Sequence, residues 1–353
     1  MTKELRVALV GYGVGGRFFH APYLVTTPGV RFAAVVTNDP NRRAQASREY
    51  PEAELFQSAN ELWARAADFD VAVITTTNRM HVPLGRAALQ AGLHTVIDKP
   101  VANTVAEARL LAETAGLARR LLVPYHNRRW DGDFLTVREL LALRQLGTVH
   151  RFESRWEAWR PQPDAGRWRE SPDPADGGGL LLDLGSHLVD QALLLFGDVK
   201  AVHGEMRTVR DNGRADDDVF IAMQHVSGTI SHLWAGHLAA DRGPRYRVLG
   251  STGAFTVYGM DPQEVALRAG QRPEALWGLD PKRTGSIVTD NGTETVSIAP
   301  GDARRFWRLM VASIREGAPP PVDINDAIRG LEVLDHVRRI TLTAAASQQA
   351  ASG

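Results

Sequence analysis

The sequence predicts an α/β protein in two parts: a doubly wound parallel sheet at the N-terminal end, then a C-terminal α/β domain built on a large open, mostly antiparallel sheet. Three observations lead there. Short β-branched runs alternate with helical patterns through the first third of the chain. A glycine-rich turn follows the first of these runs immediately. After Tyr125 the runs become alternating and aromatic, with glycine-bearing turns between several of them. A length of 353 residues suits two domains, expected at 1–124 and 125–353.

The first-domain strands are expected at Leu5–Val10, Arg31–Val36, Val71–Thr75, His94–Ile97 and Leu121–Tyr125. Between the last two, Thr104 and Glu107 read as a capping box opening a helix to Gly116, with Ala108, Leu111, Ala112 and Ala115 on one face. Gly92 and Gly116 suit positions just past helix ends. In the second part, strands are expected at Val149–Trp159, Val219–Val226, Thr229–Trp234, Tyr246–Leu249 and Ala254–Tyr258. Ser227-Gly228 and Ser251-Thr252-Gly253 read as hairpin turns. Helical patterns fall at Phe134–Leu143, Leu184–Phe196, Ala303–Glu316 and Asn325–Ala344, and the tail after Thr343 is expected to fray. Pro161–Gly179 reads as a long loop of a length often put to functional use. The Asp216-Asp217-Asp218 run reads as an exposed strand entry.

Composition narrows the function. Lys plus Arg and Asp plus Glu balance at 41 each, which argues against a nucleic-acid partner, since that usually requires a basic face. With no cysteine, disulfides, thiolate metal sites and cysteine nucleophiles are excluded. The opening Met1-Thr2-Lys3-Glu4 runs straight into a strand, and the apolar runs are too short to span a bilayer. No membrane partner and a cytoplasmic location are expected.

Gly11-Tyr12-Gly13-Val14-Gly15-Gly16 follows a strand and opens a βαβ unit, the context that makes it a Rossmann dinucleotide site. Gly11 permits the turn, Gly13 admits the pyrophosphate, Gly16 allows close packing, and the helix N-terminus offers its free N–H groups. Where NAD enzymes usually carry an acidic residue, this chain has Thr37-Asn38, then Asp39 and the pair Arg42-Arg43. Neutral donors followed by arginines suit a 2′-phosphate, so NADP is expected. NAD returns if Asp39 points at the ribose.

Three later motifs follow in order: Thr75-Thr76-Thr77-Asn78-x-x-His81, Asp98-Lys99-Pro100, and Asp183-Leu184-Gly185-Ser186-His187-Leu188-Val189-Asp190. With the glycine loop they resemble the glucose–fructose oxidoreductase/inositol dehydrogenase (Gfo/Idh/MocA) family over essentially the whole chain. Tyr125-His126-Asn127-Arg128-Arg129-Trp130-Asp131 and Gly243-Pro244-Arg245-Tyr246 are similar to the branch containing NADP-dependent scyllo-inositol dehydrogenases. The resemblance implies a Lys, an Asp and a His acting around the nicotinamide, at Lys99, Asp183 and His187. It also implies a sheet often buried in a dimer or tetramer, hence a homodimer or homotetramer through the C-terminal sheet. Asp98 stands where the family usually has Glu, and Thr77 where it usually has Pro.

The residues themselves suit alcohol oxidation. His187 suits a base for the hydroxyl proton, because an imidazole side chain titrates near neutrality. Asp183, four residues earlier, shares its face if the segment is helical from Asp183 onward. Lys99 just past a strand end suits stabilisation of a developing alkoxide. The expected cofactor contacts are Gly11, Tyr12, Gly13, Val14, Gly16, Thr37, Asn38, Arg42, Thr75, Thr76, Asn78, His81, Asp98, Lys99, Pro100 and Asn127. Substrate contacts are expected from Lys99, Asn127, Arg128, Trp130, Arg160, Trp168, Asp183 and His187, with no metal. His20 and His126 are the other histidines that merit testing. The expected activity is NADP-dependent oxidation of a secondary alcohol in a polyol, cyclitol or sugar. The alternatives are reduction of an unrelated carbonyl or imine, or a non-catalytic dinucleotide sensor.

Overall fold

The computed structural model describes residues 4–164, 166–274 and 277–352. Residues 1–3, expected to lead into the first strand, lie outside these. The chain forms two compact units that are interleaved in sequence. The first comprises the chain up to Asp131 with Pro262–Gly278 and Gly301–Ala327; the second comprises Gly132–Asp261, Leu279–Pro300 and the chain from Ile328 onward. The contiguous division expected at 124/125 therefore differs from the one observed. The cause is packing: Trp277, Ala303, Phe306, Trp307 and Met310 enter the same buried cluster as Leu9, Tyr125 and Trp130.

In the first unit, β1 (Leu5–Val10), β2 (Val30–Val36), β3 (Glu54–Phe56), β4 (Val71–Ile74), β5 (His94–Asp98) and β6 (Leu122–Tyr125) form a six-stranded sheet in the order β3-β2-β1-β4-β5-β6. All its pairings are parallel. β1 and β4 are buried almost throughout, as strands covered by helices on both faces must be. The winding reverses between β1 and β4, the switch point beyond whose carboxyl ends open α/β sheets bind ligands. β3 was not expected from the sequence; three residues at a sheet edge are too few to show a period. The capping box forms as expected, Glu107 N–H donating to Thr104 Oγ1 and Thr104 N–H to Glu107. The helix runs to Ala118 rather than stopping before Gly116, and Arg119 takes the left-handed position instead. Gly92, with φ +85°, does follow a helix end, two residues beyond Gln90.

In the second unit, β7 (Val149–Glu157), β8 (Val199–Arg207), β9 (Asp218–His225), β10 (Ile230–Gly236), β11 (Tyr246–Gly250), β12 (Ala254–Val257), β13 (Thr284–Thr289) and β14 (Gly292–Ser297) form an eight-stranded sheet ordered β14-β13-β12-β11-β7-β10-β9-β8. Only β7 and β10 pair in parallel. Both expected hairpins are present, β9–β10 and β11–β12. β8, β13 and β14 were missed; β8 and β14 are sheet edges with little buried, so their apolar alternation is weak. The helix from Ile324 continues to Ser352, past the point where fraying was expected.

The Pro161–Gly179 loop carries two single turns, Trp168–Glu170 and Pro174–Asp176. It is fastened by Arg210, whose buried guanidinium donates to Asp217 at 2.8 Å and to Glu170 at 2.6 Å. The acidic run does lead into β9 at Asp218, as expected, but it is not exposed. Asp217 is fully buried on Arg210, and Asp216 accepts the Leu181 N–H at 2.6 Å. Burial pushes the Asp216 carboxyl up to about 6. Among the described residues, no single helix is long and apolar enough to cross a membrane.

Candidate active site

The dinucleotide cradle of the first unit is built mainly from backbone. Gly11 holds φ +103°, its N–H donates to Val36 O at 2.9 Å, and its carbonyl accepts the Thr75 hydroxyl at 2.8 Å. A Cβ on Gly16 would lie 2.2 Å from Gly11 O, so only glycine fits. Above Gly13 the space is open: among the described residues beyond its chain neighbours, Arg42 Nη1 at 3.7 Å is the one heavy atom within 4 Å of where a Cβ would be. Gly15 contributes in a way the sequence did not reveal. A side chain there would meet Asp98 Oδ2 at 2.8 Å, so the end of β5 comes right up to the glycine turn. An open, glycine-lined turn feeding a helix fits a pyrophosphate.

Tyr12 differs from expectation. Its side chain is buried in the core, and its hydroxyl donates to Glu49 at 2.6 Å while Arg17 pairs with the same carboxylate. Only its backbone is available to the cradle. Val14 is exposed beside it. At the end of β2, Asn38 is exposed, and Thr37 is buried with its hydroxyl accepting the Asp39 N–H. Asp39 is the N-cap of the helix Pro40–Glu49, accepting from the N–H groups of Asn41 and Arg42. Arg43 donates to Leu55 O at 3.2 Å. Of the two arginines, Arg42 is the one at the glycine turn, within 3.5 Å of Asp39.

The ends of β4 and β5 are tied together by His81, whose Nδ1 is 2.8 Å from Pro100 O and whose Nε2 is 3.3 Å from Thr76 O. It is buried beside Asn78, and burial lowers its pKa, keeping the imidazole neutral. Lys99 is half-buried at the carboxyl end of β5; its N–H donates to Asp98 Oδ1, and the Lys99–Pro100 peptide is cis.

The segment after β6 is more structural than its composition suggested. Asn127–Trp130 forms a single turn. Asn127 lines a small cavity with Arg128, Asp131, Gln263 and Glu264. Arg128 is buried and paired with Glu264 and Asp131, and Arg129 reaches Asp326 at 3.0 Å. Trp130, expected against substrate, packs on Phe306 in the core. His126 is buried in the same stretch. His20 is a packing residue: it stacks on Tyr125 at 3.8 Å, and burial lowers its pKa to about 4.

In the second unit, His187 is buried near the start of the helix Gly185–Phe196 and stacks on Trp156 of β7, ring centroids 5.5 Å apart at 21°. Asp183 ends the short helix Leu180–Asp183, and the segment Pro174–Asp183 is bent by 55° from Gly185–Phe196. The single continuous helical face expected for Asp183 and His187 is thus broken at Leu184. Asp183 is half-buried and accepts Arg169 at 3.2 Å. Arg169 lies over the Trp168 ring at 4.4 Å, while Arg160 is exposed. Two residues here escaped notice as site elements, Trp156 and Arg245. Trp156 sits in a strand pattern and Arg245 in a loop motif, with nothing local linking either to His187. Among the described residues, no group of three or more His, Asp or Glu is placed to hold a metal ion.

The strand order and the glycine cradle define a Rossmann-type fold of the dinucleotide-binding kind. Residues 5–126 match the oxidoreductase-family model described as an NAD-binding Rossmann fold, and residues 134–256 match the GFO/IDH/MocA C-terminal domain. The chain belongs to the Gfo/Idh/MocA oxidoreductase family. It is 34% identical over 341 residues to scyllo-inositol 2-dehydrogenase (NADP+) IolW of Bacillus subtilis, covering 95% of this chain and 93% of that one. It is 25% identical to D-glucoside 3-dehydrogenase of Escherichia coli, covering 93% and 92%. The solved structure of YvaA from Bacillus subtilis superposes with a TM-score of 0.90 at 31% identity, covering 98% of each chain.

Proposed function

We propose that this protein is an NADP-dependent oxidoreductase that transfers a hydride between the nicotinamide and a secondary alcohol or ketone of a polyol, cyclitol or sugar. The observation that supports NADP most directly is the place of the Arg42 guanidinium, at the glycine turn just past the end of β2. Asp39 is held as a helix N-cap by the N–H groups of Asn41 and Arg42, and Arg42, following the β2 end where the ribose partner is usually carried, offers a cation suited to a 2′-phosphate. Asn38 then replaces the usual acidic ribose partner. The IolW relative, named as NADP-dependent and acting on scyllo-inositol, favours the same reading and substrate class.

When bound, the dinucleotide supplies the hydride acceptor or donor. The glycine turn, Thr76, Asn78, Asp98 and Pro100 would hold it. His187 takes the hydroxyl proton as base. Lys99 stabilises negative charge developing on the substrate oxygen. Asp183, held by Arg169, orients the polar end of the site. Substrate contacts come from Asn127, Arg160 and Trp168, and a homodimer or homotetramer assembles through the eight-stranded sheet.

The cofactor assignment is tested by calorimetric titration with NADP+ and NAD+. Arg42→Ala should weaken NADP+ about tenfold, the order of one charge-assisted hydrogen bond, and leave NAD+ unchanged. An unaltered preference in that variant overturns the assignment.

A further inference from the structure

Arg245 is a buried cation without a carboxylate. It is 2% exposed, yet among the described residues no Asp or Glu pairs with it. Its Nη1 donates to Ser154 Oγ at 2.8 Å and Arg155 O at 3.1 Å; its Nη2 donates to Gln191 Oε1 at 3.1 Å and Tyr246 Oη at 2.7 Å. Its Nε has no hydrogen-bond partner. Burying a guanidinium on neutral acceptors is unfavourable for stability alone, so its position calls for another reason.

The contacts converge on His187 by two routes. Gln191 lies one turn below His187 on the same helix, and its Oε1 also accepts the Tyr246 hydroxyl at 2.8 Å. Arg245 and Tyr246 together therefore clamp that helix at a residue sharing the His187 face. Along the second route, the Arg245 guanidinium lies 5.4 Å from the Trp156 ring centroid, and Trp156 stacks on the imidazole. Ser154 and Arg155, which also accept from Arg245, immediately precede that tryptophan on β7.

We propose that Arg245 is a positioning residue for His187, fixing the depth of its helix through Gln191 and the plane of its ring through Trp156. This rests on the assignment of His187 as the base. A strong, multiply bonded guanidinium suits the task, because a base displaced by about 1 Å can lose about a hundredfold in rate.

The test uses the full-length protein with 13C-labelled histidine, read by NMR, and turnover of scyllo-inositol with NADP+. In Arg245→Lys, which keeps the charge but not the fork, the His187 ring proton should move downfield as ring-current shielding from Trp156 is lost. Turnover should fall at least about tenfold with the KM for NADP+ unchanged. If Arg245→Lys does not fold, Trp156→Phe carries the same NMR and kinetic expectation. An unshifted His187 resonance with wild-type turnover in the folded variant overturns the proposal. The NMR reading needs no substrate, so it stands apart from the base assignment. That assignment fails separately if His187→Asn retains full turnover, and the catalytic purpose of Arg245 fails with it.

Discussion

The glycine cradle of the first unit and the His187 surroundings of the second are built on opposite principles. The cradle works by the absence of side chains: Gly16 leaves room for Gly11 O, Gly15 for Asp98, and Gly13 leaves its backbone open. The His187 region works by side chains gathered from β7, the helix Gly185–Phe196 and the Gly243–Tyr246 segment, stacked and bonded around one imidazole. A backbone site is encoded within six consecutive residues; a side-chain site depends on strand pairing and helix placement. The first should therefore fail by steric intrusion and the second by chemistry.

The largest expected effect lies in the second region. His187→Asn removes the proposed base and should lower turnover by about 10²–10⁴-fold, with NADP+ affinity retained in a calorimetric titration. A parallel loss of NADP+ binding would blur the contrast between the two regions. The cradle should break differently. In Gly16→Ala the new methyl would press on Gly11 O at 2.2 Å, where backbone cannot yield cheaply. Thermal unfolding should show a loss on the order of 1–3 kcal/mol, and dinucleotide binding should fall with it.

A smaller effect concerns the acidic run behind the loop that carries Arg169. The Asp216 carboxyl is raised to about 6 by burial, against the opposing donation from Leu181 N–H. The unfolded chain has an ordinary carboxyl, so folding takes up a proton between about pH 4 and 6. Stability should therefore decline as pH rises through that window, and Asp216→Asn should flatten the decline in a denaturant-midpoint series. An unchanged slope would place the titration elsewhere.

The same contrast explains what could be read from the sequence. The parallel sheet, the glycine turn, the Thr104 capping box and both hairpins were legible because each is specified by neighbours in the chain. Trp130 misled because an aromatic among polar residues reads as exposed, whereas Phe306, far along the chain, covers it. The side-chain placement of Tyr12 was not legible, because Glu49 holds its hydroxyl from a later crossover helix. Asp216 and Asp217 looked solvated because their partners, Leu181 and Arg210, come from other segments. The bend at Leu184 has no breaker beyond Gly185, so one helix was the natural reading of Asp183 to His187.

The proposed activity is oxidation of a polyol-class secondary alcohol with NADP+. The most direct measurement follows reduced-nicotinamide absorbance with NADP+ and a panel of cyclitols, polyols and sugars. The expected result is sustained reduction with at least one member, scyllo-inositol first among them, faster with NADP+ than NAD+ and abolished in His187→Asn. Tight NADP+ binding with no turnover across the panel would contradict it and point to a dinucleotide sensor.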